Sequence, residues 1–513
     1  MQKIITLSLS PKRASDEKFF KHDAAEFLKI SKKEITGIEI LRKSVDARKK
    51  IVKVNLQLKI FWGEYPEKEQ FELEFQDVSQ KPEVVIIGAG PAGLFAALKL
   101  IEKGLKPVIL ERGKDVSARK RDIQTINTNK GINPDSNYCF GEGGAGTFSD
   151  GKLYTRSKKR GTVNRILNIL KLHGAAADIL SDAHPHIGTN KLPGIIVKIR
   201  ETIINAGGIV RFNTKVTDFI IENHEVKGII TQNSEKISGK AVILATGHSA
   251  RDIYKLLHQK NILLEEKSFA MGVRVEHPQG LIDSIQYSCK IRSNYLPAAA
   301  YSLVSQVQGR GVYSFCMCPG GFIVPAATAP DEIVINGMSP SRRNSKFANS
   351  GMVVEIRTED FPGKEKYGVL AGLKYQESLE KTAFLNGGRG QVAPAQRLYD
   401  FVNRKISPSL PETSYYPGVV SSPLHFWLPE HIGKRLQDGF NIFGKKMHGF
   451  LTNEAIILGV ESRTSSPVRI PRDKESLQHP QIKNLYPCGE GAGYAGGIIS
   501  AAVDGERCAE KII

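Results

Sequence analysis

The sequence predicts an α/β fold: a discontinuous Rossmann-type dinucleotide-binding domain, a sheet-based substrate domain and a small α+β N-terminal domain. Three observations carry that prediction. The continuous apolar strand Glu83–Ile87 runs directly into GAGPAG (Gly88–Gly93) and a helix. A second strand, glycine turn and helix follow far downstream in LYPCGEGAGYAGGIISAAVDG (Leu485–Gly505). Between them, strand-like pieces alternate with loops rich in Gly, Pro and Ser. A chain that returns to its first pattern at the end builds one domain from two segments. The expected division is therefore 1–80 for the N-terminal domain, 81–250 with 465–513 for the nucleotide domain, and 251–464 for the substrate domain.

Size and composition agree with several domains, because 513 residues exceed what one core encloses. The apolar stretch Val84–Leu100 is broken by Gly88, Gly90, Pro91 and Gly93 and is too short to span a bilayer, and the start MQKIITLSLSPKR has no cleavage site of small residues. A cytoplasmic protein is the expectation. Cys139, Cys289, Cys316, Cys318, Cys488 and Cys508 form no C-x-x-C pair, so neither a disulfide framework nor a metal site is expected. The 72 Lys and Arg against 53 Asp and Glu give a formal charge of +19. From Arg112 to Arg165 the count is 12 against 5, whereas residues 1–82 hold 17 against 13. The basic excess follows the glycine turn, where a phosphorylated or otherwise anionic ligand would be drawn in.

In the N-terminal domain a strand is expected at Ile4–Leu9 and a helix over Asp23–Ile30. Val52, Val54, Leu56, Leu58 and Ile60 alternate with polar residues at the period of a half-buried strand, and Phe71, Leu73 and Phe75 repeat it. Arg42, Lys43, Arg48, Lys49 and Lys50 read as a solvated hairpin face. In the nucleotide domain Glu83–Ile87 suits a strand buried on both faces. Its helix carries Leu94, Ala97, Leu98 and Ile101 on one face, stops near Gly104, and leads to a strand from Pro107 to Leu110: one right-handed βαβ unit. In the middle region Ser268–Glu276, Ile333–Gly337 and Gly351–Arg357 read as strands.

The glycines of the first turn have separate tasks. Gly88 permits the turn, Gly90 admits a pyrophosphate to the helix N-terminus and Gly93 lets helix and strand approach, with Ala89, Pro91 and Ala92 completing the turn. Glu111, 23 residues beyond Gly88, is placed to accept hydrogen bonds from an adenosine ribose, and Arg112 follows it. Downstream, Val216 lies in a strand pair, and AVILATG (Ala241–Gly247) delivers Ala245, Thr246 and Gly247 as a small-residue turn beside the ligand.

With the C-terminal glycine turn added, the chain resembles the FAD-dependent oxidoreductases of the glutathione-reductase and p-hydroxybenzoate-hydroxylase type. The resemblance implies non-covalent FAD, with the ribityl chain at Gly489-Glu490, where Glu490 stands in place of the usual Asp. It also implies that the backbone of Gly496, Gly497 and Ile498 faces the N1 and O2 edge of the flavin. From the first domain to the last helix the chain further resembles a bacterial family of NAD/FAD-utilising dehydrogenases without an assigned substrate. The stretches that carry it are FGEGGAGTFSDGKLYTR (Phe140–Arg156), HIGTNKLPGI (His186–Ile195), GVRVEHPQ (Gly272–Gln279), SFCMCPGG (Ser314–Gly321) and GVESRTSSPVRIPRD (Gly459–Asp473).

Gly143 and Gly144, in a loop with Gly141 and Gly146, suit close approach of backbone to flavin or pyrophosphate, with charge added by Arg119 and Lys120. Cys139 reads as a buried structural thiol. Cys316 and Cys318 would face opposite sides of a strand and read as packing residues, with a redox role as the alternative. His184 and His186 read as loop histidines. The function expected is an FAD-dependent dehydrogenase relaying hydride between a small-molecule substrate, for which the basic excess suits an anion, and an acceptor. No second G-x-G-x-x-G occurs in residues 250–460, so NAD(P)H is expected only as a transient co-substrate. The alternative is an FAD-dependent tRNA-modifying enzyme that docks RNA on its N-terminal domain, whose net charge of +4 argues against nucleic acid. No catalytic acid or base and no oligomeric state follows from these residues.

Overall fold

A computed structural model of the chain describes residues 1–66, 71–155 and 162–513. Arg156, which ends the Phe140–Arg156 stretch, and part of the basic run between Arg112 and Arg165 lie outside the described residues.

The nucleotide unit is a five-stranded parallel sheet in the order Leu485–Pro487, Val242–Leu244, Glu83–Ile87, Lys106–Leu110, Ile209–Arg211. Ile87 pairs with Leu110 and Leu244, and Leu244 with Pro487, so these strands end level at one edge. Ligand crevices form at such carboxyl ends. The helices Pro91–Glu102 and Ile498–Glu510 pack on the sheet and on each other. Two glycines make that packing possible. A Cβ on Gly93 would lie 2.0 Å from the Gly88 carbonyl oxygen, and one on Gly505 would lie 2.1 Å from that of Ala92. Val85, Ile87, Val242 and Leu244 face a second core beneath the antiparallel strands Val216–Glu222, Glu225–Thr231 and Lys236–Ser238.

The middle of the chain forms an eight-stranded sheet, mostly antiparallel, with the strands Phe269–Pro278, Phe347–Ile356 and Ile456–Glu461 adjacent near its centre. Met271, Val273, Val275, Met352 and Val354 bury against it with Phe440 and Phe443 of the Glu430–Lys446 helix. The three strands expected in this region are present, although the piece at Ile333 begins at Ile335. Arg310–Pro325 is irregular: its register against Phe347–Ile356 shifts between Phe315 and Cys318 and again between Cys318 and Gly321.

The N-terminal unit orders its strands Gln2–Leu9, Lys53–Trp62, Ile35–Asp46, with Val54, Leu56, Leu58 and Ile60 buried beneath a helix. That helix spans Glu17–Leu28 and starts six residues before the expected Asp23, because the Asp16 side chain accepts from the Lys18 amide and caps it. A correction falls at Phe71, Leu73 and Phe75, which form no strand. Among the described residues the segment has no ladder partner, and its three aromatic and aliphatic side chains pack on the nucleotide core instead. Lys43 binds the 181–183 segment through backbone hydrogen bonds to Ser181 and Ala183, which docks the N-terminal unit there. Arg42, Arg48, Lys49 and Lys50 are exposed, as a solvated hairpin requires. Among the described residues no helix is long and apolar enough to cross a membrane.

Candidate functional site

At the edge where the parallel strands end, the chain leaves the strand through Gly88, whose φ of +106° a side chain rarely adopts and whose added Cβ would lie 2.5 Å from the Ala245 carbonyl oxygen. Gly90 then caps the Pro91–Glu102 helix without a side-chain cap and with no acidic residue in the first turn. Its N–H groups are left to an anion. A Cβ at Gly90 would meet no protein atom nearer than the Gly144 Cα at 3.9 Å, so the space beside it is open.

Glu111 is buried, and its carboxylate organises this turn. Oε2 accepts from the Ala89 amide at 2.9 Å, and Oε1 accepts from the amides of Gly113 and Gly141, each at 2.9 Å. Arg112 donates to both oxygens of Asp252 at 2.9 and 2.7 Å and lies over the Phe140 ring. The Gly141–Gly146 loop closes on the turn through the Gly143 amide, which donates to the Ala89 carbonyl at 2.8 Å.

Arg119 departs from expectation. It does not add charge to the cavity: it is fully buried and donates to the carbonyls of Asn137, Tyr138, Glu142 and Gly144 at 2.8–3.0 Å. Burial lowers its pKa to about 10 although Glu111 and Glu142 oppose the shift. The guanidinium is the frame on which the glycine loop is folded.

On the other side of the cavity, Ala245, Thr246 and Gly247 follow the Val242–Leu244 strand, and Gly247 has φ +70° with open space where a Cβ would stand. Glu490 follows Gly489, whose amide donates at 2.8 Å to Asp504; Asp504 in turn receives Arg472 at 2.6 and 3.0 Å. Cys488 and Cys508 lie with Asp504, and the Arg472 guanidinium, also 3.3 Å from the Cys508 sulfur, is the cation of that group. The Glu490 carboxylate stands 3.4 Å from His248 Nδ1, near enough to attract an imidazolium but not aligned as a hydrogen bond. Gly497 caps the Ile498–Glu510 helix, again without a side-chain cap or an acid in the first turn. Both Gly496 and Gly497 face open space.

These elements enclose a cavity of about 420 Å³, within the usual range of cofactor sites. Gly88, Gly90, Pro91, Ala92, Glu111, Arg112, Gly144, Val216, Ala245, Thr246, Gly247, Glu490, Gly496, Gly497 and Ile498 line it. Ala89, Gly93, Gly143 and Gly489 do not line it; they hold the walls through the backbone contacts described above. Lining residues to which the sequence reading gave no part in the site include Asp150, Lys152, His248, Cys316, Glu461 and Arg463. Most of them fall in the distinctive stretches Phe140–Arg156, Ser314–Gly321 and Gly459–Asp473, which was the signal available.

Two buried ion networks brace the cavity. Glu380 accepts from Arg251 at 2.7 and 2.8 Å and from Arg463 at 2.9 and 3.1 Å, joining the nucleotide unit to the middle sheet. Burial would raise its pKa, but the two guanidinium groups outweigh that and hold it well below the usual carboxylate range. Glu461 accepts from Arg274 at 2.8 and 3.1 Å, yet burial leaves its pKa raised.

The cysteine readings change. Cys139 is half-buried in the cavity wall, its thiol 3.6 Å from the Ala326 carbonyl. Cys316 and Cys318 do not face apart, because Cys316 adopts φ +47° within the irregular strand. Both sulfurs reach the ammonium of Lys152, at 3.7 and 3.5 Å. His186 bridges Lys152 through the backbone and lies outside the cavity lining.

The space and chemistry fit FAD. Four lining glycines face openings that a Cβ would enter, two uncapped helix N-termini meet the cavity, and a carboxylate stands at each turn.

Residues 82–270 match the family described as pyridine nucleotide-disulphide oxidoreductase, and residues 268–464 match one described as FAD-dependent protein, C-terminal domain-like. Residues 1–61 match a domain of unknown function. An uncharacterized protein of Clostridium beijerinckii is 41% identical over 508 residues, covering 95% of this chain and 94% of that protein. A thiamine thiazole synthase of Methanococcus vannielii is 28% identical over 192 residues, covering 35% of this chain and 60% of the synthase. Among solved structures, CtdE in complex with FAD superposes with a TM-score of 0.32 at 14% identity, covering 84% of each chain. The chain belongs to the same family as the Clostridium beijerinckii protein, and it is an FAD-dependent oxidoreductase.

Proposed function

We propose that the enzyme binds FAD along this cavity and oxidises a small, anionic substrate, passing the electrons to an acceptor or to a nicotinamide that visits the same cavity. The observation that carries the reading is the single cavity running from the Gly88–Ala92 turn to Gly496–Ile498, with an uncapped helix N-terminus at each. The first, through Gly90, holds the diphosphate, with Gly144 against it. Glu111 keeps one lone pair of Oε2 for a ribose hydroxyl while its other acceptor sites hold the loops. Glu490 accepts from the ribityl chain. The Gly496–Ile498 backbone meets the pyrimidine edge of the ring, where a helix N-terminus stabilises negative charge.

The flavin, when bound, supplies the hydride acceptor. The chain orients it and excludes water with the middle sheet, whose Phe315, Glu461 and Arg463 close the cavity. The test is an anaerobic stopped-flow screen of flavin bleaching with NADH, NADPH and a panel of anionic metabolites. Bleaching by one class at turnover rate identifies the donor; a flavin that no donor bleaches, although dithionite does, contradicts the dehydrogenase reading.

A second reading, tRNA modification, is supported by 29% identity over 224 residues to a tRNA uridine 5-carboxymethylaminomethyl modification enzyme of Alkaliphilus metalliredigens, spanning 29% of that enzyme. Binding of tRNA that weakens when Arg48, Lys49 and Lys50 are replaced by Ala would favour it.

A further inference from the structure

The strand Arg310–Pro325 carries a feature that FAD binding does not use. Within it Cys316 stands at φ +47°, a conformation uncommon for a residue with a Cβ and strained inside a strand. The distortion lies where the register shifts between Phe315 and Cys318. In a regular strand the two side chains would point to opposite faces. Here both sulfurs turn toward one ammonium, Lys152 Nζ, which is 2.9 Å from Asp150.

The sulfurs are not equivalent. Cys316 is in the cavity wall, while Cys318 is buried behind it and donates to the Cys316 carbonyl at 3.3 Å. The neighbouring Cys318 thiol and the Lys152 charge pull the Cys316 pKa down against burial, while the contact with Cys316 and burial hold Cys318 well above the usual thiol range although Lys152 opposes that shift. One sulfur is thus a thiolate facing the cavity and the other a protonated thiol beside it. That division is the one needed by a dithiol whose first sulfur reacts and whose second resolves.

We propose that Cys316 and Cys318 form a dithiol–disulfide couple that exchanges two electrons with the flavin, a second redox centre in the same cavity. The proposal rests on the reading that FAD fills that cavity. In the oxidising direction an S–S bond forms between the two sulfurs and the Cys318 S–H bond breaks. Its proton and the electron pair pass to the flavin, which becomes the reduced anion; in the other direction reduced flavin opens the disulfide. Lys152 neutralises the thiolate that appears and disappears. It is a positioning residue that takes no electrons. A disulfide closing over one intervening residue is a small, strained ring, so it is readily reduced.

The test counts electrons rather than turnover. Holoenzyme is oxidised with diamide, freed of the reagent, and titrated anaerobically with dithionite after its flavin content is read by absorbance. Full reduction is expected to take about two equivalents per flavin, one for each two-electron centre. In the oxidised protein unfolded in denaturant, four of the six cysteines react with a thiol reagent. The peptide holding Cys316 and Cys318 is lighter by two hydrogens. Cys316→Ser and Cys318→Ser each lower the titre to about one equivalent at unchanged flavin content. The thiol count and the peptide mass need only the wild-type protein, so a variant that fails to fold does not remove the test. A flavin-loaded wild type that takes one equivalent with six free thiols overturns the couple and leaves the FAD reading standing. A protein that binds no flavin overturns both.

Discussion

At the scale of single residues, glycines that shape the protein and glycines that make room for a ligand separate cleanly. Gly93 touches backbone: its added Cβ would lie 2.0 Å from the Gly88 oxygen, so Gly93→Ala is expected to destabilise by about 1–3 kcal/mol whether or not FAD is present. Gly90 has open space, so Gly90→Val is expected to fold with the melting temperature of apo wild type and yet retain no FAD. Thermal melts with and without added FAD check both. A Gly90→Val protein that purifies with a full complement of flavin would move the diphosphate elsewhere. Glu490 is expected to act on binding: Glu490→Gln weakens FAD by roughly ten- to a hundred-fold, the range of a hydrogen bond to a charged acceptor, with the flavin spectrum little changed. A variant that binds FAD normally but no longer turns over would place Glu490 in the chemistry.

Elements explain what was and was not legible in the sequence. The GAGPAG turn, its strand and helix, and the return at Leu485 were readable because each is local: apolar run, glycines at fixed spacing, apolar helix face. The glycine loop at Gly141–Gly146 was also readable, but not what holds it. Arg119 is a charged residue on a helix, which sequence assigns to solvent or ligand; only the tertiary fold brings four carbonyls to it. Replacing it by Met leaves those carbonyls without a donor, and a loss of about 3–5 kcal/mol is expected together with loss of FAD. Denaturant unfolding of the apo protein checks this, and an unchanged midpoint would show that the loop stands without Arg119. The sulfurs of Cys316 and Cys318 were misread for a similar reason. Alternation assumes a regular strand, and this strand loses register through pairing with a segment thirty residues away. Phe71, Leu73 and Phe75 show the converse, a period of two in a segment that pairs with no strand among the described residues.

For the whole molecule, the nucleotide sheet is completed only when Leu485–Pro487 joins Val242–Leu244, so the cavity depends on two segments far apart in the chain and on the middle sheet that closes it. Acid should loosen this assembly. His277 is fully buried in the middle sheet, and desolvation, outweighing the hydrogen bond to the Phe450 carbonyl, lowers its pKa to about 4. Because the folded value lies below the unfolded value of about 6.5, the unfolded chain binds the proton first. Stability is therefore lost as pH falls from about 6.5 toward 4, by about 3 kcal/mol at most from this residue. Unfolding midpoints measured across that window, with and without His277→Gln, should converge toward the acid end; parallel curves would assign the acid sensitivity to other groups. The central claim is that FAD occupies the cavity non-covalently, and absorbance before and after denaturation tests it most directly. The account predicts a yellow protein with a band near ~450 nm that denaturation releases into the supernatant as free FAD at about one per chain. Protein that stays colourless when FAD is supplied, or flavin that remains with the precipitated chain, would contradict it.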